Sequence, residues 1–239
     1  MKKMNNLATL FLAGALAFLP VNSSSQVKGN LTTKVKSDCV FSILGSIPGV
    51  GPHLQNSVNL SNGNFSSYAW LNTDMGNKMD KGSTYNEFDF GVSYTLSLGD
   101  KTSLNICENG FIWDGNSTFC PSADLSYSNK ASLNFSWYHL FKDKKLGIPN
   151  GDAFIGKVSK EFPLSKNISF TPSFYSIYVN TFFGNNTGNA ANVVGGKVSY
   201  KKGNATFSGS LNNQWEGNVK NNSSIHDQFF WDLSISTNF

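Results

Sequence analysis

The chain has 239 residues, a length that fits one domain or a single all-β barrel and not a multidomain assembly. Charged residues make up only 14% against 39% hydrophobic, which excludes disorder driven by charge. All 19 basic residues are lysine, so the bidentate arginine grip on phosphate and guanine is absent and nucleic acid is not an expected partner.

Residues 1–25 are expected to form a secretory signal: Lys2 and Lys3, the apolar stretch Leu7 to Leu19, Pro20, and the small polar run Asn22 to Ser25. About 14 apolar residues fall short of the roughly 20 that a spanning helix needs. Cleavage is expected near Ser23-x-Ser25, with Ala15-x-Ala17 as the second choice. Without Lys2 and Lys3, 17 lysines face 15 acidic residues, close to neutral. Residues 26–239 then form one domain with no further apolar run of spanning length, so the exported chain is either soluble or inserted as a β-barrel.

Beyond the leader, apolar and polar residues alternate with period two, and helical periodicity is nearly absent. Breaks at turn-forming clusters predict twelve strands, at 30–42, 53–61, 64–75, 84–98, 102–113, 119–128, 131–141, 152–162, 167–181, 191–201, 204–215 and 226–239. Phe88, Phe90, Val92, Tyr94, Leu96 and Leu98 alternate with Glu87, Asp89, Gly91, Ser93, Thr95 and Ser97. At the C-terminus Phe229, Trp231, Leu233, Ile235 and Thr237 alternate with Gln228, Asp232, Ser234, Ser236 and Asn238. Five tight turns interleave with six mostly longer links at 43–52, 76–83, 114–118, 142–151, 182–190 and 216–225. That layout predicts a transmembrane, antiparallel, up-and-down β-barrel of twelve strands with its short turns on the periplasmic side. A secreted β-sandwich also alternates, but gives no reason for loops to alternate short and long.

If the polar faces point inward, Glu87, Asp89, Lys157, Glu161, Lys197, Glu216 and Asp232 are the candidate pore-lining residues, among many Ser, Thr and Asn. A lumen of both signs suits small hydrophilic solutes; the competing reading is that these side chains pair and fill the interior. Lys160 falls on the apolar face beside the Pro163 turn, where its ammonium can snorkel. Cys107 and Cys120 flank one candidate hairpin loop and would pair if its register sets them opposite each other; three unbridged thiols, Cys39 included, are the alternative. The cysteine spacings do not resemble a zinc site, and no metal or cofactor is expected.

The segment Phe229 to Phe239 resembles the C-terminal insertion signal of bacterial outer-membrane proteins, which implies reading of Phe229, Trp231, Leu233, Ile235 and Phe239 by the barrel-assembly machinery. Ser37-Asp38-Cys39-Val40-Phe41, followed by Gly51-Pro52-His53-Leu54-Gln55, is similar to the opening of the TorF-type porin family. Trp70-x-Asn72-x-Asp74 and Glu87-x-Asp89 resemble that family's second hairpin, while Cys39 stands in place of its Tyr and Ser42 in place of its Arg. The likeness covers about the first third of the exported chain and the last strand. It implies a bacterial outer-membrane location, with the membrane's lipid as surroundings.

Catalysis is not expected. Twelve-stranded outer-membrane phospholipases carry a His-x-Ser pair, whereas the histidines here read His53-Leu-Gln, His139-Leu-Phe and His226-Asp-Gln; a Gly-x-Ser-x-Gly elbow is also missing. The expected function is a porin-like channel for passive passage of small hydrophilic solutes. The alternative is a non-conducting surface barrel, an adhesin, receptor or structural protein, acting through polar outer loops.

Overall fold

The computed structural model describes residues 26–37, 39–41, 45–47, 52–75, 86–113, 116–143, 149–182, 187–219 and 227–239; the expected leader lies outside them. The strands are β1 (Lys28–Lys36), β2 (Cys39–Phe41), β3 (Gly45–Ile47), β4 (His53–Asn62), β5 (Phe65–Asp74), β6 (Asn86–Ser97), β7 (Thr102–Trp113) and β8 (Asn116–Ser128). They continue as β9 (Ser132–Leu140), β10 (Gly151–Ser159), β11 (Phe162–Pro163), β12 (Ile168–Asn180), β13 (Gly188–Lys202), β14 (Ala205–Glu216) and β15 (Gln228–Asn238).

Twelve of these strands form one closed antiparallel barrel. Sequence neighbours pair around it, β10 pairs with both β9 and β12, and β1 pairs with both β4 and β15. Closure leaves no strand edge with bare N–H and C=O groups. The remaining short strand β11 adds to β12, and β2 and β3 pair only with each other.

The structure corrects the first predicted strand, 30–42. The barrel ladder stops at Ser37, whose N–H donates to the Trp231 carbonyl (3.0 Å) while its Oγ accepts from the Trp231 N–H (3.0 Å). Residues 39–41 instead pair with 45–47. The link predicted at 114–118 is also shorter than expected, because β8 begins at Asn116 and pairs with β7 up to that residue. β10 ends at Ser159, short of the predicted 162.

Two of the tight turns have the same chemistry. Gly63-Asn64 and Gly203-Asn204 each join adjacent strands with the glycine at φ 61° and 58°, the value that the first central position of a type II′ turn demands and that other residues rarely adopt. Their twist matches that of the strands they join.

The registers fix which side chains share a face. Asp232 opposes Ser210 on β14 and Lys36 on β1, whereas Leu233 opposes Gly209 and Val35. Phe229, Trp231, Leu233, Ile235 and Phe239 all lie exposed on the outer surface, Leu233 at 59%, and the outer face carries many more large apolar side chains of the same kind. An apolar belt of that extent is unsuited to water and matched to lipid. Lys160 lies at its turn-side edge with Nζ 4.8 Å above the Phe162 ring.

Leu233→Lys is expected to impair insertion into bilayers by about 2–4 kcal/mol if the position lies near the membrane midplane. Asp232→Leu, on the inward face, is expected to insert as the parent does. Equal yields of heat-modifiable barrel for both variants would contradict this division of faces.

Candidate functional site

The inward face is predominantly polar over its turn-side half. It carries Asn30 and Thr32 on β1, Ser57 and Asn59 on β4, Ser103 and Asn105 on β7, and Ser208, Ser234 and Ser236 on β14 and β15. These short side chains bond one another across strands: Asn30 Nδ2 to Ser236 Oγ at 2.7 Å, Ser208 Oγ with Ser234 Oγ at 2.8 Å, and Thr95 Oγ1 to Asn105 Oδ1 at 3.0 Å. A cavity of about 610 Å³ opens at the turn end, lined by Lys28, Asn30, Asn59, Ser61, Ser66 and Asn238 among others.

The seven candidate lining residues separate into distinct settings. Glu87 and Asp89 project inward from β6 and bear on each other; Glu87 is buried, and one buried Asp89 oxygen has no hydrogen-bond partner. Lys157 on β10 and Lys197 on β13 project inward and are exposed. Asp232 accepts a hydrogen bond from Ser210 Oγ at 2.5 Å. Glu216 ends β14, exposed at the loop-side mouth. Glu161 is different: it lies beyond the end of β10, exposed on the turn side, because that strand stops at Ser159.

Groups on distant strands come within electrostatic reach of one another across the lumen. Lys157 on β10 feels the charges of both Lys197 on β13 and Lys34 on β1, although β10 and β1 stand on nearly opposite sides of the barrel. Tyr68 on β5 and Tyr138 on β9 likewise come within electrostatic reach with three strands between them. Lys34 escaped the sequence reading because the first predicted strand was not assigned faces; Val35 and Lys36 beside it carried the signal.

The loop-side half is filled. On one arc, buried His53, Gln55 and Asn72 bond in series: Gln55 Nε2 donates to Asn72 Oδ1 at 3.1 Å, and Asn72 Nδ2 lies 3.0 Å from His53 Nδ1. On the other, Cys120, Leu140, Ala153, Ile177, Val179, Ala190, Ala191, Phe182 and Val219 form an apolar cluster with essentially no exposure. Sequence reasoning missed this cluster. The signal was present as breaks in the alternation, Ala153-Phe154-Ile155, Ile177-Tyr178-Val179 and Val193-Val194, where both faces are apolar.

Between the arcs, Asn109 is the hub. Its Oδ1 accepts from Tyr68 Oη (2.8 Å) and Cys107 Sγ (3.1 Å), and its Nδ2 donates to the Cys120 carbonyl (2.7 Å) and Ser122 Oγ (3.0 Å). The register sets Cys107 opposite Ser122 and Cys120 opposite Asn109, so the two cysteines sit on a diagonal. Diagonal neighbours are about 7–8 Å apart, their Cβ atoms only somewhat closer, against the roughly 3.5–4.5 Å between Cβ atoms that a disulfide needs. Both thiols are free, and the condition for their pairing is not met.

His139 is on the outer surface. Its Nδ1 lies 2.8 Å from Asp152 Oδ1, which also accepts from Trp137 Nε1 at 2.9 Å. The group stays with the aromatic belt, outside the lumen. Among the described residues no cluster of His, Cys, Asp and Glu is suited to a metal ion.

No protein-family model matches the chain, and no curated protein matches it in sequence. Solved structures do match in fold. A KdgM porin in complex with disordered oligogalacturonate aligns over 89% of this chain and 99% of its own, with TM-score 0.56 and 11% identity. The NanC porin aligns over 87% and 98%, with TM-score 0.54 and 11% identity. An outer-membrane channel from Pseudomonas putida F1 aligns over 90% and 96%, with TM-score 0.51 and 8% identity. The fold is therefore that of outer-membrane β-barrels, traced over almost the whole length of each of these proteins.

Asn109→Leu is expected to cost about 1–3 kcal/mol, since it strips the partners of several buried polar groups at once. The urea midpoint of the folded, detergent-solubilised barrel measures it; a variant as stable as the parent would mean that Asn109 is not the hub.

Proposed function

We propose that the chain is a porin-like channel of the bacterial outer membrane, passing small hydrophilic solutes by diffusion with a preference for anions. The observation that carries this reading is that Lys34, Lys157 and Lys197 all face the lumen of a closed twelve-stranded barrel, Lys157 within electrostatic reach of the other two. The charges are unequally presented. Lys157 and Lys197 are exposed inside the lumen, Glu87 and Asp74 are buried in the wall, and half-buried Asp232 is engaged by Ser210 Oγ. A solute passing these exposed lysines therefore meets ammonium groups more than free carboxylates, and lumen cations attract anions and repel like charge.

The KdgM porin is described with bound oligogalacturonate, a carboxylate-bearing sugar, which supports admission of hydrophilic anions by a lumen of this architecture. Recognition of Phe229 to Phe239 by the barrel-assembly machinery and lipid contact around the outer belt belong to the same proposal. The filled loop-side half favours a second reading, a surface barrel that does not conduct.

Planar-bilayer recording of the refolded chain separates the two. Stepwise currents are expected, with a reversal potential on the anion side under a KCl gradient. Replacing Lys34, Lys157 and Lys197 together by Gln should abolish that preference while leaving the steps. Cation selectivity in the parent would contradict the role given to the lumen lysines.

A further inference from the structure

The two residues that follow β12, Thr181 and Phe182, stay against the barrel wall. At Thr181 the backbone takes φ 53°, a conformation disfavoured for a β-branched residue, and the chain turns onto the inner face of β10. Gly151, inward-facing opposite Leu140, receives it: a Cβ there would lie 2.6 Å from the backbone of Thr181 and Phe182. Thr181 Oγ1 donates to the Asn150 carbonyl at 2.6 Å, and the Phe182 side chain is completely buried. The described residues that follow β14, 217–219, behave similarly. Gly217 N–H donates to the Ala190 carbonyl (3.0 Å), Val219 N–H to the Asn189 carbonyl (3.1 Å), and Asn189 N–H to Asn218 Oδ1 (2.8 Å), which places Val219 in the same buried cluster as Phe182.

The wall beneath is unusual for a water-filled barrel. Leu140, Ala153, Ile177 and Val179 face inward from β9, β10 and β12, and β13 is bulged where Ile177 and Tyr178 meet Ala191 and Asn189. Bulges of this kind re-aim side chains beside functional sites. An apolar strip inside a polar lumen disfavours water, and a side chain laid on it closes the path to hydrated solutes.

From this geometry we propose that Phe182 and Val219 form an apolar gate at the loop-side mouth, and that lifting the Thr181–Phe182 segment off Gly151 opens the channel. The inference rests on the channel reading above. It assigns the filled mouth to a closed state, held by packing and a few hydrogen bonds against an unfavourable backbone conformation at Thr181. Opening relaxes that conformation and bares the apolar strip, so the two states are opposed by different terms.

Cys120 belongs to the cluster and is a native reporter, a free thiol with no exposure while the gate is shut. Full-length refolded protein in liposomes is treated with a methanethiosulfonate reagent, and modification at Cys120 is followed by peptide mass. Parallel bilayer recordings measure open probability. Phe182→Ser removes the gate side chain, and Gly151→Val leaves it intact but forces the Thr181–Phe182 backbone away. Both variants are expected to label Cys120 faster, on the order of tenfold or more, and to spend more time open. Heat-modifiability verifies folding, and Gly151→Ala replaces whichever variant fails to fold. Rapid labelling of Cys120 in the parent, or labelling and open probability unchanged in the folded variants, would overturn the gate. Steady conduction by a parent whose Cys120 stays unreactive would also overturn it while leaving the channel reading intact. Faster labelling with no current in any variant would uphold the gate contact and defeat the channel reading.

Discussion

The antiparallel ladder between β1 and β15, from Asn30↔Asn238 to Lys36↔Asp232, removes the two edges that a twelve-stranded sheet would otherwise present. In hydrocarbon an unpaired N–H or C=O has no water to turn to, and each would cost several kcal/mol. Closure therefore decides everything downstream. Once the sheet is a cylinder, successive residues must point alternately to lumen and surroundings, and a slip of one residue would exchange Asp232 for Leu233 on the lipid face. The last rung shows how the seam is finished: Gly29 N–H donates to the Phe239 carbonyl at 2.8 Å and Phe239 N–H returns a bond at 3.0 Å, with the Phe239 ring lying over the glycine that has no Cβ to meet it.

Because closure and alternation are properties of the backbone, they were readable from the period of the sequence. The strands from β5 to β9 and from β12 to β15 were predicted within a few residues, since turn residues such as Gly63-Asn64 and Gly203-Asn204 punctuate a pattern that lipid and lumen both enforce. The first strand was not, because no Gly or Pro marks its end at Ser37; a side-chain hydroxyl replaces a ladder bond there. The lumen was only half legible. Face assignment follows from parity, which placed Glu87, Asp89, Lys157, Lys197 and Asp232 on one side. Meetings across the barrel depend on shear and side-chain reach, and no local pattern encodes that Lys34 approaches Lys157.

Two opposing demands share the inner wall. The turn-side half is built from Ser, Thr and Asn, small enough to leave space and polar enough to hold water in it. The loop-side half is built for density, with the His53, Gln55 and Asn72 series on one arc and Leu140, Ile177 and Phe182 on the other. Asn109 stands where these meet, and its four bonds tie β5, β7 and β8 into one unit.

The seam has a consequence in time as well as in space. Asn30 bonds to Ser236 and to Asn238 across sequence separations of 206 and 208 residues, close to the longest the chain offers. Contacts that distant are the slowest to form, because the entropy of closing so large a loop is lost before any reward is collected. Every earlier stage of assembly is an open sheet with two sticky margins and an apolar face. The final ladder cannot form until the C-terminal strand has been delivered, so the barrel has no shorter, independently closed precursor, and the interval before its last strand arrives is when it is most prone to aggregate.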